Sequence, residues 1–426
     1  MPLLRLTIAL FFFINVVPAT AATTVIEAAG YVDVGSGILI KPAVIVVEGE
    51  NIVEINPTQL PKNATRIDLG GNVLLPGLMD MHVHLDLNWD AVNFDVIFME
   101  SGAKGALRAA MNAAATLNAG FTTVRNVGQI HNTADMVDVA LAEAIEEGFV
   151  PGPRVIPAGH MISILGGHGD LGMAHGMAEG MLVLPPERGV VSGAADALRA
   201  VRYQIKHGAK VIKIHATAGV LSLEDAVGAQ QLTDEEMRVI VEEARRHNLP
   251  VAAHAHGTEG IKAAIRAGVD SIEHGSILDD EAIALMQEHN VTFVPTVGLM
   301  DRIDLGALPP KKRAKAKYVD PLARESVRRA ARAGVRIAMG TDAPLIPHGD
   351  NADEIVTLTT LGLSNAEALR TVTINPAVLI RRDDLGQIKP GMKADLIAVG
   401  ADPLEDINTL RDVRFVMKNG KVVRQP

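Results

Sequence analysis

The sequence has no cysteine among its 426 residues, which excludes disulfide bonds, thiolate catalysis and cysteine-ligated zinc. Aromatic residues make up only 3% of the chain and hydrophobic residues 48%, so we expect a core built mainly from Ala, Val, Ile and Leu. The formal net charge is −10 and no long basic run is present. Because phosphate binding needs clustered Lys and Arg, this composition argues against a nucleic-acid partner and leaves a small-molecule substrate open.

Long hydrophobic runs are also lacking, except at the N-terminus. After Arg5, an apolar stretch extends from Leu6 to Val17 and is followed by Pro18-Ala19-Thr20-Ala21. About a dozen apolar residues fall short of the roughly 20 that span a bilayer, so the pattern predicts a secretory signal peptide rather than a membrane anchor. We therefore expect residues 1–21 to be removed after Ala21, the mature chain to be periplasmic or secreted, and no membrane span to remain.

The order of sequence patterns along the chain predicts a large central domain and a smaller companion. Residues 22–75 and 385–426 alternate short strand-like runs with turn signals, including a hairpin turn at Lys418-Asn419-Gly420-Lys421. We expect these two ends to form one discontinuous β-sandwich domain. Over residues 76–384, apolar strands alternate with amphipathic helices, which is typical of βα units with a parallel sheet.

The strands of this central region are predicted to end near His84, Val127, Gly159, His215, His256, His274, Val297 and Asp342. Eight βα units predict an α/β fold, a (β/α)8 TIM-like barrel. One intervening helix is predicted from Thr233 to His247, where Thr233-Asp234-Glu235-Glu236 is a capping box. Catalytic residues of such barrels lie at the C-terminal ends of the strands, where the loops converge on one pocket.

Potential metal ligands stand at these strand ends: His82, His84, Lys213, His254, His274 and Asp342. His82 and His84 are two residues apart on a strand, so both side chains leave the same face and can hold one ion. A His-x-His pair alone is weak evidence, since polar residues also occur in barrel mouths. Lys213 lies within an apolar run, where an unpaired charge is costly. Their joint placement predicts a single site.

The string Leu-Pro-Gly-Leu-Met-Asp-Met-His-Val-His-Leu at 75–85 resembles the signature of the amidohydrolase superfamily. Other segments agree with it: Val-Ile-Lys-Ile at 211–214, His254-Ala255-His256-Gly257, Glu273-His274-Gly275, Gly340-Thr341-Asp342-Ala343, Asn375-Pro376-Ala377 and Gly391-Met392-Lys393-Ala394-Asp395-Leu396. The resemblance runs from about residue 24 to the end of the chain. It is closest to the imidazolonepropionase-like branch, which holds Xaa-Pro dipeptidases and ochratoxin-hydrolysing amidases.

This resemblance implies two divalent metal ions, with zinc as the expected metal. His82 and His84 would bind the more buried ion, and His254 and His274 the outer ion. Lys213 would be carboxylated by carbon dioxide to N6-carboxylysine and bridge both, which suits the chemistry because a carbamate offers two anionic oxygens whereas an ammonium cannot bind a cation. Asp342 would ligate the buried ion and carry a proton to the leaving nitrogen.

Further polar residues are candidates for substrate contacts. His256 shares a strand face with His254, and His215 shares one with Lys213. The resemblance implies that His168, within Gly-Gly-His-Gly-Asp at 166–170, helps to hold a substrate carboxylate; an ordinary hydrogen-bonded residue of the pocket mouth is the alternative. Trp89 can stack on a substrate ring or pack on the barrel rim. We predict substrate contacts at His168, His256, Trp89 and His215.

Two positions near the strand ends stay less defined. His160 follows the third predicted strand, and its role is left open, as is the role of His215, where the family more often has an apolar residue. Arg125-Asn126, at the end of the second predicted strand, is interpreted as a hydrogen-bonding pair on the rim.

The combined prediction is a binuclear metal-dependent amidohydrolase that cleaves the amide bond to a C-terminal amino acid. Dipeptides and N-acyl amino acids, including ochratoxin-like compounds, are the expected substrates. A cyclic-amide hydrolase of the imidazolonepropionase type is the alternative, but mononuclear relatives with that activity usually lack the bridging lysine, so Lys213 weighs against it. A non-catalytic binding protein is a third interpretation, against which the complete ligand set weighs. The resemblance also implies a homo-oligomer.

Overall fold

The computed structural model describes residues 22–88, 100–131, 133–170, 184–222 and 226–426. The predicted signal peptide and Trp89 lie outside these described residues. No helix within the described ranges combines the length and the hydrophobicity that crossing a membrane requires.

The strands of the described residues, numbered in chain order, are β1 Thr23–Ala28, β2 Gly30–Asp33, β3 Ile38–Ile40, β4 Ala43–Glu48, β5 Asn51–Ile55, β6 Thr65–Asp68, β7 Val73–Pro76, β8 Leu78–Val83, β9 Phe121–Asn126, β10 Arg154–Pro157, β11 Ser163–Ile164, β12 Val190–Val191, β13 Ile212–His215, β14 Val251–Ala255, β15 Ser271–His274, β16 Thr292–Val294, β17 Leu396–Val399, β18 Val413–Lys418 and β19 Lys421–Arg424. The α-helices are Gly102–Asn118, Val137–Glu146, Ala194–Lys206, Asp234–Arg246, Thr258–Ala267, Asp280–Glu288, Pro310–Ala333, Ala352–Thr360, Asn365–Thr371 and Ile374–Leu379.

The described residues of the central part form three parallel sheets, with the strand orders β11-β12, β10-β9-β8 and β13-β14-β15-β16. The last two sheets contain seven of the eight predicted strands. The eighth, before Asp342, is present only as single parallel bridges from Ile337 and Ala343. The hydrogen-bond ladder of this eighth segment is irregular, because the Met339 N–H donates to the Thr371 carbonyl and Asp342 adopts a left-handed backbone with φ 55°. The described residues therefore do not form one closed eight-stranded sheet.

The strand register brings the predicted ligands side by side. His215 pairs with His254 across β13 and β14, and Ala255 pairs with His274 across β14 and β15. Parallel strands that pair in this register end at the same edge of the sheet, so the side chains that follow them emerge together. The isolated bridge between Val83 and Ala343 brings the end of β8 next to the segment that carries Asp342.

Both chain ends contribute to one six-stranded sheet, in the order β19-β18-β17-β7-β2-β3. At its centre β17 pairs with β7, in a register that places Leu396 opposite Pro76. Side chains of this sheet and of the four-stranded sheet β5-β4-β1-β6 share one buried apolar cluster, which includes Ile26, Ile45 and Phe415. The two ends thus share a sheet. A separate β-sandwich domain with limits at 22–75 and 385–426, beside a barrel over 76–384, stays a prediction.

Two local structures that the sequence predicts, a capping box and a hairpin turn, are present in the structure. The Thr233 side chain accepts a hydrogen bond from the Glu236 N–H, and the Glu236 carboxylate accepts the Thr233 N–H at 2.8 Å. This capping box begins the helix Asp234–Arg246. The predicted hairpin turn joins β18 to β19 through Asn419 and Gly420, whose φ values of 48° and 71° are those that such tight turns require.

Candidate metal centre and substrate pocket

His82 and His84 direct their Nε2 atoms at one carboxylate. Each Nε2 lies 3.4 Å from Oδ1 of Asp342. The opposite ring nitrogens are held by other groups: His82 Nδ1 donates to Oε2 of Glu273 at 2.9 Å, and His84 Nδ1 donates to the Gly128 carbonyl at 2.7 Å. Such partners fix the ring orientation and the tautomer, leaving Nε2 as the free lone pair.

His274 completes the group at this end of the pocket. Potential ligand atoms of His82, His274 and Asp342 all lie within 4.8 Å of one another. His274 Nδ1 is 2.8 Å from Oγ1 of Thr296, which orients its ring. Both His274 and Asp342 have left-handed backbones, with φ values of 67° and 55°. Non-glycine residues in this region are strained and are often found at functional sites.

His254 lies on the other side of His274. It belongs to two further groups of possible ligands, one with His256 and His274 and one with His168 and His215. The centroids of the His254 and His274 rings are 4.6 Å apart. The structure therefore brings together the histidines predicted as ligands of the outer ion, and places His168, His215 and His256 next to His254.

Lys213 is almost completely buried on β13. Burial lowers its pKa to about 8, although the carboxylates of Glu273 and Asp342 act in the opposite direction. A lysine with this pKa has a substantial neutral fraction near neutral pH. Its neutral amine can react with carbon dioxide, which an ammonium cannot do.

Burial favours the neutral form of four histidines of the site. It lowers the pKa of His168 and of His256 to about 3, and it lowers the pKa values of His254 and His274 well below the usual range. Burial also tends to raise the pKa of Asp342, but the neighbouring His82 and His84 side chains outweigh burial and hold the pKa well below its usual value. Neutral imidazoles around an ionised carboxylate are the protonation states that a divalent cation needs.

The predicted site residues within the described part of the chain line one cavity of about 520 Å³: His82, His84, His168, Lys213, His215, His254, His256, His274 and Asp342. His256 Nδ1 is 2.7 Å from Oγ of Ser276, and its ring stacks on His274 at 4.9 Å. The same cavity is also lined by apolar residues, here called the apolar wall: Val220, Leu221, Val297, Leu299, Met300, Ile303, Ala316, Val319, Ala323 and Leu345. His160 is buried but is not among the residues that line this cavity.

The interpretation of Arg125 as a rim residue is wrong. Arg125 is fully buried, and its guanidinium donates to Glu273 at 2.7 Å, to Ser271 Oγ at 2.9 Å and to the Met81 carbonyl at 2.7 Å. Burial alone raises the pKa of Glu273, but Arg125 and His82 outweigh it and bring the pKa to about 2. Arg125 on β9 thus keeps the carboxylate that orients His82 ionised. No spacing rule in the sequence pairs these two residues.

Asp80 is a second buried residue beside the candidate site whose contacts sequence reasoning missed. Its carboxylate accepts hydrogen bonds from the His82 N–H at 3.0 Å, the Thr341 hydroxyl at 2.7 Å and the Asn351 side-chain amide at 2.7 Å. It therefore ties the strand of His82 to the segment that carries Asp342. Gly340 allows the close approach, since a Cβ there would lie 2.7 Å from the Cβ of His82.

Comparison with known proteins gives matches of high coverage, four of which follow. A model described as the amidohydrolase family matches residues 73–423. Ochratoxinase from Aspergillus niger is 33% identical over 431 residues, which is 95% of this chain and 88% of that protein. The crystal structure of a Xaa-Pro dipeptidase with bound methionine in the active site matches with a TM-score of 0.88 and 38% identity, over 95% of this chain and 100% of that one. A prolidase complexed with N-methylphosphonate-L-proline matches with a TM-score of 0.86 and 34% identity, over the same shares.

Proposed function

We propose, because this chain belongs to the amidohydrolase family, that it is a binuclear metal-dependent hydrolase of the amide bond to a C-terminal amino acid. A TIM-barrel-like α/β fold and hydrolase activity on amides come with its family and its relatives. The observation that carries the finer proposal is the convergence of His82, His84 and His274 on the carboxylate of Asp342.

The residues fit a two-ion site. His82, His84 and Asp342 are proposed for the more buried ion, and His254 and His274 for the outer ion. When bound, two zinc ions would lower the pKa of a water molecule and polarise an amide carbonyl. The carbamate of Lys213 is proposed as the anionic bridge, which forms when the neutral amine bonds to the carbon of carbon dioxide and loses a proton to solvent.

Asp342 is proposed to move the proton. Its ionised carboxylate lies within 3.4 Å of both His82 and His84, so it is available as a base in the resting enzyme. It would accept a proton from the attacking water and deliver it to the leaving nitrogen, because an amine leaves poorly unless it is protonated.

His168 and His256 are proposed to bind the carboxylate of the substrate. Both line the cavity beside His254, and both are neutral at physiological pH because burial lowers the pKa of each to about 3. If Ser276 donates its hydroxyl hydrogen to His256 Nδ1, the ring proton stays on Nε2 and can be donated to a carboxylate. The methionine and the prolyl ligand named for the two related structures each carry such a group.

The apolar wall is proposed to take the side chain or the acyl group of the substrate. Leu299, Met300 and Ile303 line the same cavity as the histidines, and methionine side chains adapt to varied shapes. Dipeptides with apolar residues and N-acyl amino acids with aromatic acyl groups, including ochratoxin-like compounds, are therefore the proposed substrates.

The test is a hydrolysis screen of zinc-loaded enzyme over Xaa-Pro, Xaa-Phe and N-acyl amino acids, each as free acid and as C-terminal amide. A charge-assisted hydrogen bond contributes about 1.5–3 kcal/mol, so capping the carboxylate should lower kcat/KM by roughly 10-fold to 150-fold. His256→Ala should remove most of that difference. Equal rates for acid and amide in the wild type would exclude a carboxylate subsite and favour the cyclic-amide alternative.

We also propose that the protein is exported. Residues 1–21 combine Arg5, an apolar stretch and the Ala-x-Ala sequence that signal peptidases recognise. Expression of the whole chain in a bacterial host with a secretory pathway, followed by N-terminal sequencing, should give Ala22 as the first residue. An uncleaved N-terminus in the cytoplasmic fraction would contradict export.

A homo-oligomer is proposed as well. Leu107 and Met111, one turn apart on the helix Gly102–Asn118, are 74% and 57% exposed, and Phe149 is 77% exposed. Exposed apolar side chains of this size are candidates for a subunit contact. Light scattering of the purified protein measures the mass directly, and the mass of a single chain at all concentrations would contradict the proposal.

A further inference from the structure

A second group of histidines lies beside the proposed two-ion site. The ring centroids of His168 and His215 are 5.1 Å apart, those of His168 and His254 are 4.3 Å apart, and those of His215 and His254 are 5.1 Å apart. One ring nitrogen from each residue lies within 4.8 Å of the other two. The three side chains stand on different segments, so folding alone brings them together.

Each of the three rings has a buried nitrogen that lacks a hydrogen-bond partner among the described residues: Nδ1 of His168, Nδ1 of His215 and Nε2 of His254. Other histidines of the pocket differ, because His82, His84, His256 and His274 all have a partner at Nδ1. Buried polar atoms in proteins are nearly always paired, so an unpaired nitrogen on each of three neighbouring rings needs an explanation.

The chemistry of the three rings suits a cation, because imidazole nitrogens are common ligands of zinc and copper. All three residues also line the cavity, so an ion can reach them from solvent through the same opening as a substrate.

We propose that His168, His215 and His254 bind a further divalent transition-metal ion, zinc or copper, in addition to the proposed pair. Three imidazole nitrogens suit these metals, and a water or an anion would complete a tetrahedral zinc site. His254 is also assigned to the proposed outer ion, and a neutral imidazole offers only one ring lone pair to a metal. To ligate both ions, His254 would lose its N–H proton to solvent and act as an imidazolate, with one nitrogen for each ion. Because this deprotonation costs free energy, the further site binds zinc more weakly than the pair does and fills only when the free zinc concentration is higher.

One functional consequence follows, and it rests on the proposed function. An ion held by His168 removes one of the two histidines assigned to the substrate carboxylate. Zinc above the concentration that fills the pair should then inhibit hydrolysis competitively with substrates that carry a free carboxylate. Amide-capped substrates, which do not use His168 in this way, should be inhibited less.

The test counts zinc without using activity. Wild type and His215→Leu are dialysed against increasing free zinc, and bound zinc per chain is measured by elemental analysis. Wild type should bind one ion per chain more than His215→Leu at high zinc, and the two should agree at low zinc. The matched control is His160→Leu, since His160 is also buried with an unpaired Nε2 but belongs to none of the three ligand groups.

Copper gives a second measurement. Copper added to the zinc-loaded wild type should show an electron paramagnetic resonance spectrum with nitrogen couplings from imidazole, and His215→Leu should lose it. Thermal unfolding of each variant establishes that it is folded. If wild type and His215→Leu bind the same number of zinc ions at every concentration, the proposal is wrong. An equal loss of zinc from His160→Leu would also overturn it. Because zinc is counted directly, the result stands even if no amide substrate is hydrolysed.

Discussion

At the scale of single residues, Glu273 has two roles that its position explains. Its Oε2 accepts from His82 Nδ1 and its Oε1 accepts from Arg125, so one carboxylate both orients a proposed ligand and neutralises a buried guanidinium. Burying an isolated charge of either sign would be costly, and the pair avoids that cost by mutual compensation. Lys213 differs, because burial lowers its pKa and makes its amine available for chemistry.

Glu273→Gln should lower zinc affinity by about 10-fold to 100-fold, because partners that orient metal-binding histidines contribute that much. Equilibrium dialysis against zinc measures it. Ser271→Ala is the control, since Ser271 contacts Arg125 and Glu273 but not His82. It should reduce stability without a comparable loss of zinc. Unchanged zinc affinity in Glu273→Gln would remove Glu273 from the site.

Lys213→Ala should reduce kcat/KM by more than roughly 100-fold. Loss of a residue that only orients a metal ligand already costs up to about 100-fold, and the proposed carbamate of Lys213 binds the ions directly. The fold should be retained, because alanine at this buried position leaves no charge unpaired. Short-chain carboxylic acids should restore part of the activity by replacing the carbamate. Lys210→Ala, three residues earlier and exposed, is the control. Full activity in Lys213→Ala would contradict the bridging role.

At the scale of elements, a helix stabilises the loop that follows β16 through hydrogen bonds. Glu354, in the first turn of the helix Ala352–Thr360, accepts hydrogen bonds from the N–H groups of Val297 and Gly298 at 3.1 Å and 2.5 Å. The same loop carries Thr296, which orients His274. Burial raises the pKa of Glu354 to about 8 in spite of these two hydrogen bonds. The helix is therefore joined to the loop after β16 by a carboxyl group that is mainly protonated at neutral pH.

Ionisation of Glu354 should lower the free energy of unfolding of the protein as the pH rises into the alkaline range. The pKa of Glu354 is raised from 4.5 to about 8 on folding, so its contribution is fully present below pH 4.5 and is lost as the pH rises through about 8. Relative to Glu354→Gln, the wild type should lose about 3 kcal/mol of unfolding free energy between about pH 5.5 and pH 9, at about 1.36 kcal/mol per pKa unit. Urea unfolding at both pH values measures this, and a constant difference would show that Glu354 is ionised throughout.

At the scale of the whole molecule, the two chain ends are joined to each other and to the central region. Arg154, the first residue of β10, donates to Thr123 of β9 at 2.9 Å and to Asp395 at 2.8 Å. Lys418 donates to the Gly152 carbonyl at 2.7 Å. These contacts fasten the sheet of the chain ends to the side of the parallel strands that lies opposite the strand ends. Residues of the central region thus line the cavity, and the sheet of the chain ends stabilises the central region on the opposite side.

Removal of metal by a chelator should abolish activity and lower Tm by several degrees. A ligand that binds only the folded state stabilises it by about 2.7 kcal/mol at 100 times its dissociation constant. Zinc together with bicarbonate should restore both, and zinc without carbon dioxide should restore them incompletely. Differential scanning calorimetry and kinetics on the same samples provide the measurement. In Lys213→Ala, the Tm should respond less to zinc. A Tm insensitive to chelation in the wild type would contradict a metal site that stabilises the fold.

Features that depend on neighbours in sequence were predictable. The period of two on a strand puts His82 and His84 on one face, Thr233 and Glu236 form the capping box three residues apart, and Asn419-Gly420 forms the hairpin turn. Each depends on local backbone geometry that a few residues determine by themselves. The placement of candidate ligands at strand ends was predictable for the same reason, since it required only the strand pattern. Their roles as ligands remain predictions.

Features that depend on distant residues were decided only by the tertiary structure. Arg125 and Glu273 are 148 residues apart in the sequence. Only the tertiary structure brings the side chains of β9 and β15 together, so that an expected rim residue becomes part of a buried ion pair. The unpaired nitrogens of His168, His215 and His254 likewise meet because three segments converge. The sequence determines which chemical groups the chain carries and their local direction. Hydrogen-bond partners and burial, which set the charge state of each group, depend on contacts that exist only after the chain has folded.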